Sequence, residues 1–160
     1  MSDGFLLDTS FFLRLLKEND PLYKSANNYY KHLLNNNIPI YISTISIAEF
    51  CVKGSPDELP LKNLIVLPFN YNHAVSAGKL AEILYDKRKK GILKVNERPI
   101  IINDAKLFAQ ANQEPKIGYY ITADQRSKNT FDSINSETKL EFEFIHIETD
   151  YTEIFSILDL

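Results

Sequence analysis

Apolar and polar residues follow two rhythms along this chain, and the places where one gives way to the other outline a fold. Short apolar runs of strand length occur at Phe5-Leu6-Leu7, Ile38-Pro-Ile-Tyr-Ile42, Leu64-Ile-Val-Leu67 and Gly118-Tyr-Tyr-Ile-Thr122, and residues 141–147 alternate as an edge strand does. Between them the apolar positions recur at helical spacing. A helix is predicted from Thr9 or Ser10 through FFLRLL. A second opens at Asp20-Pro21, cap then proline, and carries Tyr23, Ala26, Tyr30, Leu33 and Leu34 to an asparagine turn at 35–37. Ser43-Thr44 starts a third, TISIAEFCVK. A long one over roughly 72–90, capped by Asn70 or Asn72, has Ala74, Ala77, Leu80, Ala81 and Leu84 as its apolar face, and YTEIFSIL forms a short docking helix at the end. The stretch after Asp124, QRSKNTFDSINSETK, reads as polar and irregular. Strand and helix in repeated alternation predict a single α/β domain with a mainly parallel central sheet. Right-handed crossovers bring the strand C-termini to one edge.

The segment from Ile100 to Asp124 departs from its own pattern. Wound at about 100° per residue, Ile101, Ala105 and Phe108 share a stripe flanked by Ile102, Ala109 and Ala111, while Lys106, Gln110 and Gln113 face away. Asp104 falls inside the apolar stripe. A buried, unmatched carboxylate costs several kcal/mol, so it implies a receiving group. Asp124 ends the following strand directly, which aims a second acid at the same place.

Two further acids occupy comparable positions. Asp8 closes the first strand, at the edge where open α/β sheets place ligands. It could cap the next helix, but Thr9 and Ser10 serve that purpose equally well. Glu49 belongs to a capping box with Ser46 if the third helix begins there, and is free for chemistry if it begins at Ser43 or Thr44.

Charge and composition narrow the possibilities. The 160 residues are 44% hydrophobic and 24% charged, with a net charge of −3, so the chain as a whole does not attract nucleic acid. Locally, Lys87, Arg88, Lys89, Lys90, Lys94 and Arg98 gather six of the 18 basic residues. They read either as a solvated helix end or as a phosphate-contacting patch. No apolar run reaches membrane-spanning length and the N-terminus lacks the basic region of a signal peptide. The single cysteine, Cys51, fits a reducing, cytoplasmic setting and is expected in the core. Tyr29 and Tyr30 are expected in the core, His32 at the surface and His73 as polar punctuation at a helix start.

Several carboxylates in one pocket repel, and a hard divalent cation resolves this most simply. Mg2+ or Mn2+ takes oxygen ligands, keeps waters and phosphate oxygens in its shell, and suits phosphodiester chemistry. Zinc is disfavoured, since no Cys/His cluster exists. No GxxxxGK[ST], GxSxG or GxGxxG motif is present.

Four segments, FLLDTSFFLRLL, ISTISIAEF, INDAKLFAQA and YYITADQRS, stand in the order seen in PIN-domain proteins, and residues 5–126 most resemble the VapC-type toxin ribonucleases. The resemblance implies a Rossmann-like α/β/α sandwich and a Mg2+- or Mn2+-dependent endoribonuclease. Asp8, Glu49, Asp104 and Asp124 would form its acidic cluster, supported by Ser10 and Thr122. It also implies a homodimer and an antitoxin partner that covers the site. Arg126 joins the basic residues at 87–98 as a candidate RNA contact. Where many relatives carry an acid or a phenylalanine soon after the last Asp, this chain has Gln125, Arg126 and Ser127. One rival reading is a PIN-like module that binds RNA or protein without cutting; Mn2+ binding separates the two. A haloacid-dehalogenase-type phosphohydrolase would need a second Asp where Ser10 stands.

Overall fold

The computed structural model describes residues 3–90 and 101–158. Its centre is a five-stranded, wholly parallel sheet in the order β3-β2-β1-β4-β5. The strands are β1 (Gly4–Leu7), β2 (Ile40–Ser43), β3 (Ile65–Leu67), β4 (Ile117–Thr122) and β5 (Glu143–His146). The helices are α1 (Thr9–Leu15), α2 (Tyr23–Asn35), α3 (Thr44–Phe50), α4 (Tyr71–Lys90), α5 (Asn103–Gln113), α6 (Gln125–Asn135) and α7 (Tyr151–Leu158). β1 and β2 are buried along their whole length, which is why they read as unbroken apolar runs. β5 lies at the sheet's edge and alternates, as expected.

Alternation along β1 divides the core between the two faces. Phe5 and Leu7 pack with Phe11, Phe12, Tyr29 and Leu33 under α1, α2, α3 and α7. Leu6 packs on the other face with Leu80, Phe108 and Tyr120 beneath α4, α5 and α6. The predicted α/β/α sandwich with a mainly parallel sheet is therefore observed.

Several local expectations are corrected. Residues 125–135 form α6, although only Phe131 and Ile134 offer it large apolar anchors; its third inward position is a fully buried serine, Ser127. α2 begins at Tyr23, because Asp20 is engaged elsewhere, accepting from the Leu22 amide and the Arg14 guanidinium. Asn37 takes the left-handed conformation after α2, φ 54°, as an asparagine turn permits. Cys51 is exposed, since α3 ends at Phe50 and the helical period no longer places residue 51. His32 is half-buried, stacked on Phe155 at 3.9 Å. His73 is buried, with Nε2 2.9 Å from Glu114 Oε1.

Gln110 is the clearest case of a polar residue pulled inward. Assigned to the outer side of α5, it is fully buried and joins the ends of two strands to that helix. Its Oε1 accepts from Ser43 Oγ at 2.5 Å and its Nε2 donates to the Leu67 carbonyl at 3.3 Å. Gln110→Ala strands both partners in the core. The expected loss is about 1–3 kcal/mol, read as a lower urea midpoint at unchanged slope.

Candidate functional site

The parallel sheet brings the ends of β1 and β4 side by side, with Leu7 opposite Ile121. The residues after those ends, Asp8 and Asp124, therefore open onto one edge. α3 and α5 add Glu49 and Asp104 from above it. All four acids line one open cleft of about 430 Å³, whose walls also include Thr9, Ser10, Leu13, Arg14 and Arg126. Carboxylates separated by more than a hundred residues of sequence thus share one depression.

Asp8 is the most deeply held. It is 5% exposed, and its Oδ1 accepts from Ser10 Oγ at 2.6 Å and from the Phe11 amide at 2.9 Å. The Phe11 bond makes Asp8 the N-cap of α1, so it has the structural role that Thr9 and Ser10 were expected to share. Its Oδ2 accepts from Thr122 Oγ1 at 2.5 Å and, at a long 3.4 Å, from Tyr120 Oη. Ser10 and Thr122 each give their single proton to Asp8, so their mutual 3.1 Å approach reflects crowding around the carboxylate. They also anchor the next strand end, accepting from the amides of Ala123 at 2.8 Å and Asp124 at 3.0 Å.

Glu49 is free of any capping box, because α3 starts at Thr44 with Ser43 as its cap. It accepts from Thr9 Oγ1 at 2.5 Å and from the Asn103 side-chain amide. Lys106 Nζ in turn donates to Asn103 Oδ1 at 3.1 Å. Asp124 caps α6 through the Arg126 amide, 2.9 Å away, and meets the Arg126 guanidinium loosely at 3.4 Å. Asp104 lies in the first turn of α5, and among the described residues no backbone amide or cation meets its carboxylate.

The electrostatics follow from this placement. Burial raises the Asp8 carboxyl, opposed by the donors of Ser10, Thr122 and Phe11. Asp104 is pushed up to about 6, first by burial and then by the charges of Asp8 and Asp124; the Ser127 hydroxyl pulls the other way. An acid on a core-facing stripe is thus held in the company of other acids, and among the described residues no salt bridge pairs it with a cation. The donors in the cleft are oxygen atoms alone, which fits a hard divalent cation and does not fit zinc. Among the described residues, no three acid or histidine side chains converge closely enough to grip one ion together. The fit is therefore to an ion held by one or two carboxylates with water completing the shell, as Mg2+ commonly is.

Of the basic residues, Lys87 is committed to the fold: Nζ donates to the Ser133 carbonyl and to Ser136 Oγ, both at 2.6 Å. Arg88, Lys89, Lys90 and Arg126 are exposed. Lys94 and Arg98 lie outside the described residues. Arg14, Asn103 and Tyr120 join the site without having been expected there, and Thr9, expected as a helix cap, bonds to Glu49 instead. Tyr120 gave no signal beyond an apolar strand, and its burial raises the hydroxyl well above the usual phenol range, keeping it a donor. Asn103 did carry a signal, as the polar neighbour of an anomalous aspartate.

Neither a protein-family model nor a curated protein sequence matches the chain. Solved structures do. A chain of the VapBC2 complex from Rickettsia felis, crystallised with a DNA fragment from its promoter, superposes with a TM-score of 0.56 at 19% identity, covering 88% of this chain and 97% of that one. A chain of the DNA-bound VapBC complex from Salmonella typhimurium gives a TM-score of 0.53 at 18% identity, over 91% and 99% respectively. The matches run over nearly the full length of both chains, and the chain has the PIN-like fold of these VapBC structures.

Proposed function

We propose that the protein is a metal-dependent endoribonuclease, the toxin of a toxin–antitoxin pair, with Mg2+ or Mn2+ as its cofactor. The observation that carries this reading is the meeting of Asp8, Glu49, Asp104 and Asp124 in one cleft on the C-terminal edge of a parallel sheet. Asp8 and Asp104 are assigned as direct ligands, with Asp124 and Glu49 completing the site through water. Bound there, the ion supplies an activated water and neutralises charge on the phosphodiester oxygens.

The chain's own residues prepare this chemistry. Ser10 and Thr122 fix the plane of the Asp8 carboxylate, and of its four donors the long Tyr120 contact is the easiest to give up to an ion. Thr9 and Asn103 hold Glu49 toward the cleft. The acids repel a bare phosphodiester, so RNA would bind more weakly without the ion, and cations outside the cluster are needed to hold it. Arg88, Lys89, Lys90 and Arg126 are the exposed cations through which backbone phosphates are met. The partner proposed is an antitoxin, in keeping with the VapBC complexes that share the fold; a homodimer is the proposed assembly. Among the described residues no helix is long and apolar enough to cross a membrane.

Incubation with single-stranded or loop RNA and Mn2+ is expected to yield internal cleavage that excess chelator abolishes. One observation favours the rival reading of a non-cutting binding module, namely the absence of a tight three-acid cage among the described residues. Calorimetry separates the two. A site for Mn2+ that disappears in Asp8→Asn supports the nuclease, and RNA binding with neither metal binding nor cleavage supports the module.

A further inference from the structure

Arg14 is the one charged residue of the apolar run FFLRLL. In the fold it lies in the last turn of α1, and its side chain forms part of the wall of the cleft containing the four acids. One corner of its guanidinium is fixed: Nη1 donates to Asp20 Oδ2 at 2.5 Å, and the Asp20 carboxylate is steadied by the Leu22 amide at 2.9 Å. The rest has no partner among the described residues. Nε is shielded from solvent and has no acceptor, although 41% of the side chain is exposed. A guanidinium carries five N–H groups, and the edge made by Nε and Nη2 is the fork that matches two oxygens of one phosphate. Asp20 takes the opposite corner, so that edge has no acceptor among the described residues, and Nε meets a ligand once the group turns outward. Among the described residues no second hydrogen bond opposes turning the group toward an incoming ligand, and a donor without an acceptor favours it.

We propose that Arg14 is a binding residue for the RNA backbone, receiving a phosphodiester next to the one placed over the acids. The inference rests on the nuclease reading and adds a contact to it. A cleft floored with carboxylates must hold a polyanion near them, and a rim guanidinium aimed by a buried aspartate does so without entering the acid cluster. Lysine would supply the charge but not the fork. Arg126 differs in kind, being 90% exposed and bound only loosely to Asp124.

The test uses the full chain carrying Asp104→Asn, so that labelled single-stranded RNA is bound without being consumed, with anisotropy followed over a range of salt. Arg14→Met is expected to weaken binding about tenfold and to flatten the slope of log K against log salt by about 0.7, the contribution of one phosphate contact on a single strand. Arg14→Lys should recover the slope but only part of the affinity. In the cleaving protein, Arg14→Met should raise KM with kcat nearly unchanged. Asp20→Asn breaks the same ion pair but leaves the cation, so it controls for structural damage; its salt slope should match the parent. Arg14→Met with an unaltered slope and KM, in a protein that does cut RNA, overturns the assignment of Arg14 and leaves the nuclease intact. A parent protein that neither binds nor cuts RNA overturns both.

Discussion

Asp104→Asn is expected to lower RNA cleavage by at least about a hundredfold, the scale of losing a site's main electrostatic contribution, while making the metal-free protein more stable. Both effects have one cause. The Asp104 carboxyl is raised from 3.8 to about 6 in the folded chain, by burial and by neighbouring acids. Between those two values the native state binds more protons than the unfolded chain, so stability falls as pH rises through that window and stays lost above it. At pH 7.5 the native protein therefore carries an unfavourable charge of the order of 1–3 kcal/mol, which asparagine removes. Thermal unfolding in chelator should show the variant melting higher than the parent at pH 7.5, with the difference fading toward pH 4. Added Mn2+ should then stabilise the parent and leave the variant where it was. Undiminished cleavage, or a variant less stable than its parent in chelator, contradicts the assigned role.

The second large effect concerns the support under the site. Phe108 is fully buried on the inner side of α5, one turn beyond Asp104. Its ring meets Tyr120 edge-on at 5.0 Å, with Phe142 at 5.8 Å and Phe131 at 5.9 Å. Phe108→Ala removes the shared member of that aromatic group, and the expected cost is about 3–5 kcal/mol. Urea unfolding should show it directly. A loss below about 1 kcal/mol, too small for a cavity of that size, means the cluster closes around the gap and α5 is held by other contacts.

How much of this was legible beforehand depends on whether the responsible neighbours were local. β1 and β2 were readable because burial on both faces leaves unbroken apolar runs, and β5 because an edge strand alternates. Asp104 was readable because it violates the period of its own helix. Gln110 was not, since the groups that draw it inward, Ser43 and the Leu67 carbonyl, belong to distant strands. α6 was missed for a related reason: one inward position is filled by Ser127, whose small buried side chain leaves no hydrophobic signature. Asp8 was read as released from capping because Thr9 and Ser10 looked sufficient. Instead Thr9 bonds to Glu49 and Ser10 to Asp8 itself. Arg14 faces the cleft only because α1 is oriented by contacts on its other side, which its sequence does not disclose.

That Asp8 and Asp124 each begin a helix has a bearing on how the protein tolerates change. Asparagine accepts the same amide hydrogen bond and is as good a first residue for a helix as aspartate, whereas alanine forfeits roughly 1 kcal/mol there. Amides at these two positions therefore keep the helix starts that alanines lose, although at Asp8 the amide nitrogen also meets the Thr122 hydroxyl that Oδ2 accepted from. The same property gives an inactive descendant of this chain an easy origin: one exchange of acid for amide silences the edge and leaves both helices starting where they did.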